Sequence, residues 1–209
     1  MFLHPRQWGG RVVVWIDGRG KSGMFDDDGL PRAEIRELVD AGVSVVGADL
    51  LYQGEFQHIG APVTRSGRVD HPSDRQFAGY TFGYNHTLFA RRVHDILSVL
   101  SLVKNSETAP KAVDLVGHSG AGPWVAAARA QAREAVDRVV VDTGGFRFGK
   151  LLDIHDVNFL PGGAKYGDLP GMLALSAPGK MWLASEGRHA PRVVEAAYEA
   201  AGHKNDLTL

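Results

Sequence analysis

The sequence predicts an α/β fold in which helices flank a doubly wound, mostly parallel sheet. Short apolar, β-branched runs alternate with segments of helical period along the chain, and this order is typical of parallel strands joined by helical crossovers. The first runs are continuously apolar, as expected for strands covered on both faces. The predicted strands occupy residues 11–16, 43–50, 113–116, 136–141 and 181–184.

Composition limits the classes of function. The 209 residues, of which 44% are hydrophobic, fit one globular domain spanning 1–209. A formal net charge of −1, with scattered Lys and Arg, gives no field that would gather nucleic acid or an anionic membrane. No apolar segment is long enough to span a bilayer, so we expect a soluble chain that acts on a small molecule. The absence of cysteine excludes disulfides and a cysteine nucleophile and leaves the compartment open.

The first strand, residues 11–16, leads into a glycine-rich loop at residues 17–23. This loop lacks the spacing of a nucleotide phosphate loop, and a flexible loop at the carboxyl end of the strand is the better interpretation. Asp17 is interpreted as a turn residue at the end of the strand. Residues 31–41 carry apolar side chains at helical spacing and predict the first helix, which the strand at 43–50 follows.

Two long irregular stretches, 52–83 and 146–178, are predicted to cross the face of the sheet where the strands end. Residues 87–102 predict an amphipathic helix with Arg91, Arg92 and Asp95 on its polar side. Two further helices and the beginning of a sixth strand complete the pattern, at 123–135, 191–201 and 206–209. Two polar residues precede the helix at 87–102, and we expect them near the carboxyl ends of the strands, where substrate would bind: Tyr84 and Asn85.

Residues 112–128 hold the motif on which the functional prediction depends. An apolar run leads directly into Gly117-His118-Ser119-Gly120, and an alanine-rich helical stretch follows, so Ser119 lies at the apex of a strand-turn-helix unit. The backbone of such a serine is strained, and the residues two before and two after it must be small; here they are Gly117 and Ala121. An ordinary glycine-rich loop is the alternative, but the flanking strand and helix favour a serine nucleophile.

A serine nucleophile needs two N–H donors for the oxyanion and a carboxylate that orients its base. We predict the amide of Gly120 as the first donor and the amide of Gly18 or Arg19 as the second. Asp142 and Glu186 both follow strands at the correct edge of the sheet, and either could be the carboxylate. Each also has a structural interpretation, as a turn residue for Asp142 and as a helix cap or salt-bridge partner for Glu186.

Several histidines are candidates for the catalytic base. His189 lies on the correct side of the sheet, as do His86 and His155. His203 follows both acids in the chain, but we predict it at the opposite end of the sheet, as an exposed loop residue near a helix C-terminus. His118 is expected to pack against the flanks of the elbow. No pair of the nine histidines shows ligand spacing with a neighbouring carboxylate on one helix face, and we predict no metal site.

Three segments carry a resemblance to a known superfamily: YTFGYN at 80–85, GHSGAG at 117–122 and FLPGGAKYGDLP at 159–170. Together with the strand order, they resemble the α/β-hydrolase superfamily and, more narrowly, the bacterial acetyl xylan esterase-like hydrolases. The resemblance covers the chain from residue 11 onward. It implies hydrolysis of carboxylic esters through an acyl-serine, with Ser119 as nucleophile, Glu186 or Asp142 as acid, and no cofactor.

The chain departs from that superfamily at both ends. It is expected to begin at the third of eight strands, without the antiparallel strands that come first, and to end before the position of the superfamily's catalytic histidine and last helix. Exposed sheet edges would then favour homodimerisation. We expect a serine esterase acting on small acyl esters such as acetylated carbohydrate. The alternative is a non-catalytic binding or structural domain of a larger protein.

Overall fold

A computed structural model describes residues 1–57, 63, 65 and 82–209. Within them, seven strands form one sheet in the order β1-β3-β2-β4-β5-β6-β7. β1 pairs antiparallel with β3, and the other neighbouring strands are parallel. The strands are β1 (Phe2–Leu3), β2 (Arg11–Asp17), β3 (Val43–Gly47), β4 (Ala112–His118), β5 (Arg138–Asp142), β6 (Lys180–Ala184) and β7 (Leu207–Thr208).

In the described part of the chain, helices lie between successive strands from β2 onward, which confirms the predicted fold class of a mostly parallel sheet with flanking helices. The side chain of Thr87 caps the second helix by accepting a hydrogen bond from the amide of Ala90 at 3.2 Å. No helix of the described part is long and apolar enough to cross a membrane. The helices are α1 (Ala33–Asp40), α2 (Leu88–Lys104), α3 (Gly122–Ala132), α4 (Asp168–Ala174) and α5 (Arg192–Ala200).

The two faces of the sheet are covered unequally. Four helices, α2 to α5, pack on one face and bury the main core, which includes Val14, Leu115 and Leu183. On the other face, α1 inserts Ile35 into a small cluster over β2 and β3. Val116 of β4 still packs against this cluster, whereas several side chains of β5 and β6 on that second face stay partly exposed.

The structure corrects the predicted elements in two places. The stretch at 146–178 contains the helix α4, in which Leu169 and Leu173 are fully buried; Pro170 hid the pattern, although proline is tolerated in the first helical turn. The antiparallel strand β1, absent from the expected fold, is present but spans two residues, too few to give a periodic signal. Most of the irregular stretch predicted at 52–83 lies outside the described residues.

Candidate active site

The turn between β4 and α3 holds Ser119 in the left-handed region of backbone space. Its φ is +53°, and Gly120 follows with a φ of +92°. A residue other than glycine in this region carries strain of about 1–3 kcal/mol and persists only where its surroundings hold it there. Ser119 is exposed to solvent at the carboxyl edge of the sheet. The sequence-predicted elbow is thus formed, with the serine at its apex.

Close backbone contacts hold the elbow and explain three of its glycines. A Cβ atom on Gly18 would lie 1.9 Å from the carbonyl oxygen of Ser119, and one on Gly122 would lie 1.9 Å from the carbonyl oxygen of Asp142. A Cβ atom on Gly117 would lie 2.7 Å from the Cβ atom of Val125. Distances under 3 Å do not occur for real Cβ contacts, so these positions require glycine, and the neighbouring strands clamp the strained turn.

The amides predicted to hold an oxyanion differ in whether they already donate a hydrogen bond. The amide of Gly18 donates to the carbonyl oxygen of His118 at 3.2 Å, and the amide of Arg19 donates to Asp17 Oδ1 at 2.8 Å. Neither is free to hold an oxyanion in this conformation. The amide of Gly120 donates to no acceptor among the described residues, and α3 begins two residues later. Of the predicted donors, the amide of Gly120 is therefore the one left unengaged, and it lies beside the positive end of α3.

Asp17 connects the loop after β2 to the elbow and is more than a turn residue. Its carboxylate is buried and accepts hydrogen bonds from the amide and the guanidinium of Arg19. The hydrogen bond and charge of Asp17 raise the pKa of Arg19. The Oδ2 atom of Asp17 also lies 3.4 Å from Nδ1 of His118, its register partner on β4. This carboxylate joins Arg19 and His118 on either side of the contact between Gly18 and Ser119.

Glu186 forms a salt bridge whose partner, Arg147, the sequence did not reveal. Its side chain is 4% exposed, and both carboxylate oxygens accept hydrogen bonds from the guanidinium of Arg147. The hydroxyl of Thr143 donates to the same carboxylate at 2.6 Å. Burial raises the pKa of Glu186, but the hydrogen bonds from Arg147 and Thr143, with the charges of Arg147 and Lys150, outweigh burial and lower it overall. The contacts of Glu186 therefore match its structural interpretation as a salt-bridge partner.

Asp142, at the end of β5, keeps one carboxylate oxygen available. Its Oδ1 atom accepts hydrogen bonds from the amide of Gly144 at 3.1 Å and from the hydroxyl of Ser185 at 2.6 Å. Its Oδ2 atom accepts no hydrogen bond from the described part of the chain. Because Gly122 packs against its backbone, Asp142 also lies directly beside the elbow. Of the two predicted acids, Asp142 is the one that could still receive an imidazole N–H.

The structure separates the candidate bases. His189 is exposed in the loop after β6, at the carboxyl edge, whereas His203 precedes β7 at the opposite edge and its Nδ1 lies 2.7 Å from Asp206. His155 is buried. The imidazole of His118 is 46% exposed, and its ring centroid lies 5.9 Å from that of Trp15. Within residues 1–57, 63, 65 and 82–209, no imidazole forms a hydrogen bond with the Ser119 hydroxyl.

Tyr84 ends a short helical stretch and Asn85 lies in the bend that follows it, shortly before α2, which places them toward the carboxyl edge of the sheet. The Tyr84 side chain is 89% exposed, and Asn85 is exposed as well. Neither packs into the core, so both are accessible to a ligand at this edge. In the same part of the chain, Tyr80 and Thr81 of the resemblance segment lie outside the described residues.

A buried arginine beneath the elbow was predicted on the polar side of its helix and lies in the core instead. Arg92 is 4% exposed; its guanidinium stacks 4.5 Å from the ring centroid of Trp124, and its Nε donates to the carbonyl oxygen of Leu51. Burial lowers its pKa to about 10, against the opposing charge of Asp95. The Trp124 indole donates to Asn158 at 2.7 Å. These contacts tie α3, which carries the elbow, to two loops at the carboxyl edge.

Comparison with solved structures identifies the fold. A candidate acetyl xylan esterase from Bacteroides fragilis superposes on 99% of this chain with a TM-score of 0.71 and 15% sequence identity. The chain has the α/β-hydrolase fold. A promiscuous CE15 esterase from a marine bacterial metagenome aligns with 96% of the chain at a TM-score of 0.60 and 13% identity. A glucuronoyl esterase from Teredinibacter turnerae aligns with 96% at a TM-score of 0.54 and 18% identity.

These α/β-hydrolase structures are longer than the present chain. It spans 60% of the length of the Bacteroides protein, 64% of the metagenomic esterase and 57% of the Teredinibacter esterase. Neither a protein-family model nor a curated protein sequence matches the chain. The similarity therefore establishes the α/β-hydrolase fold, and the reaction has to be inferred from the site.

Proposed function

We propose that this chain is a carboxylic-ester hydrolase that uses Ser119 as a nucleophile on small acyl esters, such as acetylated carbohydrate. The observation that carries the proposal is the strained backbone of Ser119, which has a φ of +53° at an exposed turn. Gly18 packs against the Ser119 carbonyl, and Gly122 of the same turn packs against the backbone of Asp142. Strain of this kind concentrates at functional sites. The description of the similar structures as carbohydrate-related esterases supports the same reaction class.

In the proposed reaction, Ser119 Oγ forms a bond to the acyl carbon while its proton passes to an imidazole. The charge that develops on the carbonyl oxygen is stabilised by the amide of Gly120 and the positive end of α3. The bond to the alcohol oxygen then breaks, and the alcohol leaves with the proton from the imidazole. A water molecule attacks the acyl-serine in the same way, which releases the carboxylic acid and restores Ser119.

We assign the orienting carboxylate to Asp142 and the base to His189. Asp142 has an available oxygen beside the elbow, whereas Arg147 and Thr143 occupy the carboxylate of Glu186. His189 follows β6, the strand next to Asp142, at the carboxyl edge. The proposal requires the loop after β6 to bring this imidazole to the elbow when substrate binds, and catalytic hydrogen bonds often tighten at that stage.

The test is hydrolysis of p-nitrophenyl acetate between pH 5 and 9, together with labelling by a fluorophosphonate probe. Ser119→Ala should lose about a thousandfold or more of the rate and all labelling. Ser98→Ala, an exposed serine of α2, is the control and should retain both. Asp142→Asn and His189→Ala, which change the proposed acid and base, should lower the rate of hydrolysis as Ser119→Ala does. His203→Ala should leave the rate unchanged. Equal rates for the wild type and Ser119→Ala would reject a serine hydrolase.

A second candidate is a non-catalytic binding domain on the α/β-hydrolase fold. It is favoured by one observation, that no described imidazole forms a hydrogen bond with the Ser119 hydroxyl. Fluorophosphonate labelling distinguishes the esterase from the binding domain. It requires an activated serine, and it can be carried out without the natural substrate. A folded wild-type chain that neither labels nor hydrolyses the ester would support the binding domain.

A further inference from the structure

The turn after β6 holds Ser185 in the left-handed region of backbone space, as the elbow does Ser119. The φ of Ser185 is +65°. The register of the sheet pairs Ala184, the last residue of β6, with Asp142 at the end of β5, so this turn lies directly beside the proposed acid. Strain at a serine persists only where the surroundings hold it, and the contacts around Ser185 therefore show what the turn does.

Contacts from the turn after β5 fix the residues on both sides of Ser185. The amide of Thr143 donates to the carbonyl oxygen of Ala184 at 3.2 Å, and the hydroxyl of Thr143 donates to the carboxylate of Glu186 at 2.6 Å. The guanidinium of Arg147 binds both oxygens of the same carboxylate. A change of the Ser185 backbone toward an ordinary conformation would have to displace one of these contacts.

The turn held in this way directs the hydroxyl of Ser185 at Asp142. The hydroxyl donates to the Oδ1 atom of Asp142 at 2.6 Å, and the amide of Gly144 donates to the same atom at 3.1 Å. Hydrogen bonds to a charged acceptor are about twice as strong as those between neutral groups. Both donors engage one oxygen, which leaves Oδ2 for the N–H of an imidazole.

The amide of Gly144 alone would not give Asp142 a fixed orientation. This amide belongs to the same turn as the carboxylate, and a side chain held at one point can rotate about it. The hydroxyl of Ser185 comes from the neighbouring strand, 43 residues along the chain, and supplies a second fixed point. Asp142 is only partly buried, so water would otherwise compete for its carboxylate. A carboxylate that turns away from the base no longer keeps the imidazole in the productive tautomer.

We propose that Ser185 is a positioning residue of the esterase, because its hydroxyl holds the carboxylate of Asp142 in the orientation that the base requires. This inference rests on the proposed function, in which Asp142 is the acid. It also gives the salt bridge between Glu186 and Arg147 a role at the site. That salt bridge fixes the strained turn which aims the hydroxyl, and Glu186 itself stays away from the base.

Three substitutions separate the effect of the hydroxyl from that of the backbone. Ser185→Ala removes the hydroxyl and keeps the strain, whereas Ser185→Gly removes both. Ser185→Asn keeps a side-chain donor, and asparagine tolerates the left-handed region. Ser185→Ala and Ser185→Gly should both lower kcat for p-nitrophenyl acetate by about 10–100-fold and change KM by less than about twofold, because a misplaced acid affects the reacting complex. Ser185→Asn should recover most of this loss.

Stability and a double-mutant cycle test whether the hydroxyl acts through Asp142. Ser185→Gly should melt about 2–4 °C above Ser185→Ala while both are equally slow, so a loss of stability would not explain the lower rate. In Asp142→Asn, which has already lost the acid, Ser185→Ala should lower kcat by less than about a further twofold. Ser106→Ala is the matched control, because its hydroxyl donates to backbone carbonyl groups near the end of α2, and it should keep the wild-type rate.

The outcomes distinguish this role from the proposed function. Wild-type rates in Ser185→Ala and Ser185→Gly, with Ser119→Ala inactive, would overturn the role of Ser185 and leave the serine hydrolase intact. An equally large effect of Ser185→Ala in the Asp142→Asn background would also overturn it, because the hydroxyl would then act on another group. A fully active Ser119→Ala would reject the proposed function and the role of Ser185 with it.

Discussion

Replacing Ser119 by glycine should stabilise the protein while it abolishes ester hydrolysis. At a φ of +53°, the side chain of Ser119 carries about 1–3 kcal/mol of strain, which glycine does not. Glycine also loses more backbone entropy on folding, which offsets about 0.5–1 kcal/mol of this gain. Ser119→Ala is the reference, because it keeps the strain and removes no hydrogen bond made within the described residues. We expect Ser119→Gly to exceed Ser119→Ala in free energy of unfolding by about 0.5–2 kcal/mol.

Urea unfolding followed by fluorescence measures this difference. The melting temperature should rise in parallel, by about 2–4 °C for each kcal/mol in a chain of this size. The same pair of changes at Ser98, inside α2, gives the matched control. There the sign should reverse, with Ser98→Gly less stable than Ser98→Ala by about 1 kcal/mol. If Ser119→Gly proves no more stable than Ser119→Ala, the elbow carries no backbone strain, and the main support for the proposed nucleophile is removed.

Two further predictions concern the contacts around the elbow. Gly18→Ala should lower the free energy of unfolding by more than about 2 kcal/mol and eliminate hydrolysis, because its Cβ atom would lie 1.9 Å from the Ser119 carbonyl oxygen; Gly83→Ala, which meets no atom within 4 Å, should be nearly neutral in chemical denaturation. Arg147→Ala should destabilise the protein by about 3 kcal/mol at pH 7, because it leaves the buried carboxylate of Glu186 without its cation. The pKa of Glu186 is depressed in the folded chain, so its contribution is present above the unfolded pKa of about 4.3 and is lost as pH falls through the folded pKa. Unfolding free energies between pH 3 and 7 should therefore fall more steeply toward acid in the wild type than in Arg147→Ala, and parallel curves would contradict the assigned pairing.

The elements that the sequence predicted are those whose signal is local. The elbow was identified correctly because a strand, a tight turn with small residues and a helix follow one another within residues 112–128. The helices α1, α2 and α5 have clear apolar periods, and α3 was predicted from the alanine-rich stretch that follows the turn, whereas α4 is short and contains Pro170. The sheet and the position of the serine could be predicted because they depend on patterns a few residues long.

The partners of the charged residues depend on contacts far apart in the chain, and sequence reasoning could not assign them. Glu186 pairs with Arg147, 39 residues away, and this pairing separates it from Asp142 as the available carboxylate. Arg92 has helical neighbours that suggest a polar face, but a ring contributed by α3 and a carbonyl group contributed by a loop draw it into the core. A buried arginine gives no periodic signal, since its position depends on which aromatic face the fold brings near.

The clamp around the elbow has a consequence for the order of folding. The contacts that hold Ser119 join Gly18 to Ser119 and Gly122 to Asp142, so they require three strands to be in register. The strained turn cannot form from local sequence alone, because contacts of large sequence separation form only after loop closure. We expect the elbow to be unformed in the transition state for folding. The kinetic φ-value, which is the ratio of the change in folding activation energy to the change in stability, should then be near zero for substitutions at Gly18 and Gly122. Changes at the elbow would then accelerate unfolding and leave the folding rate almost unaltered, so this turn limits the lifetime of the native state rather than the speed at which it is reached.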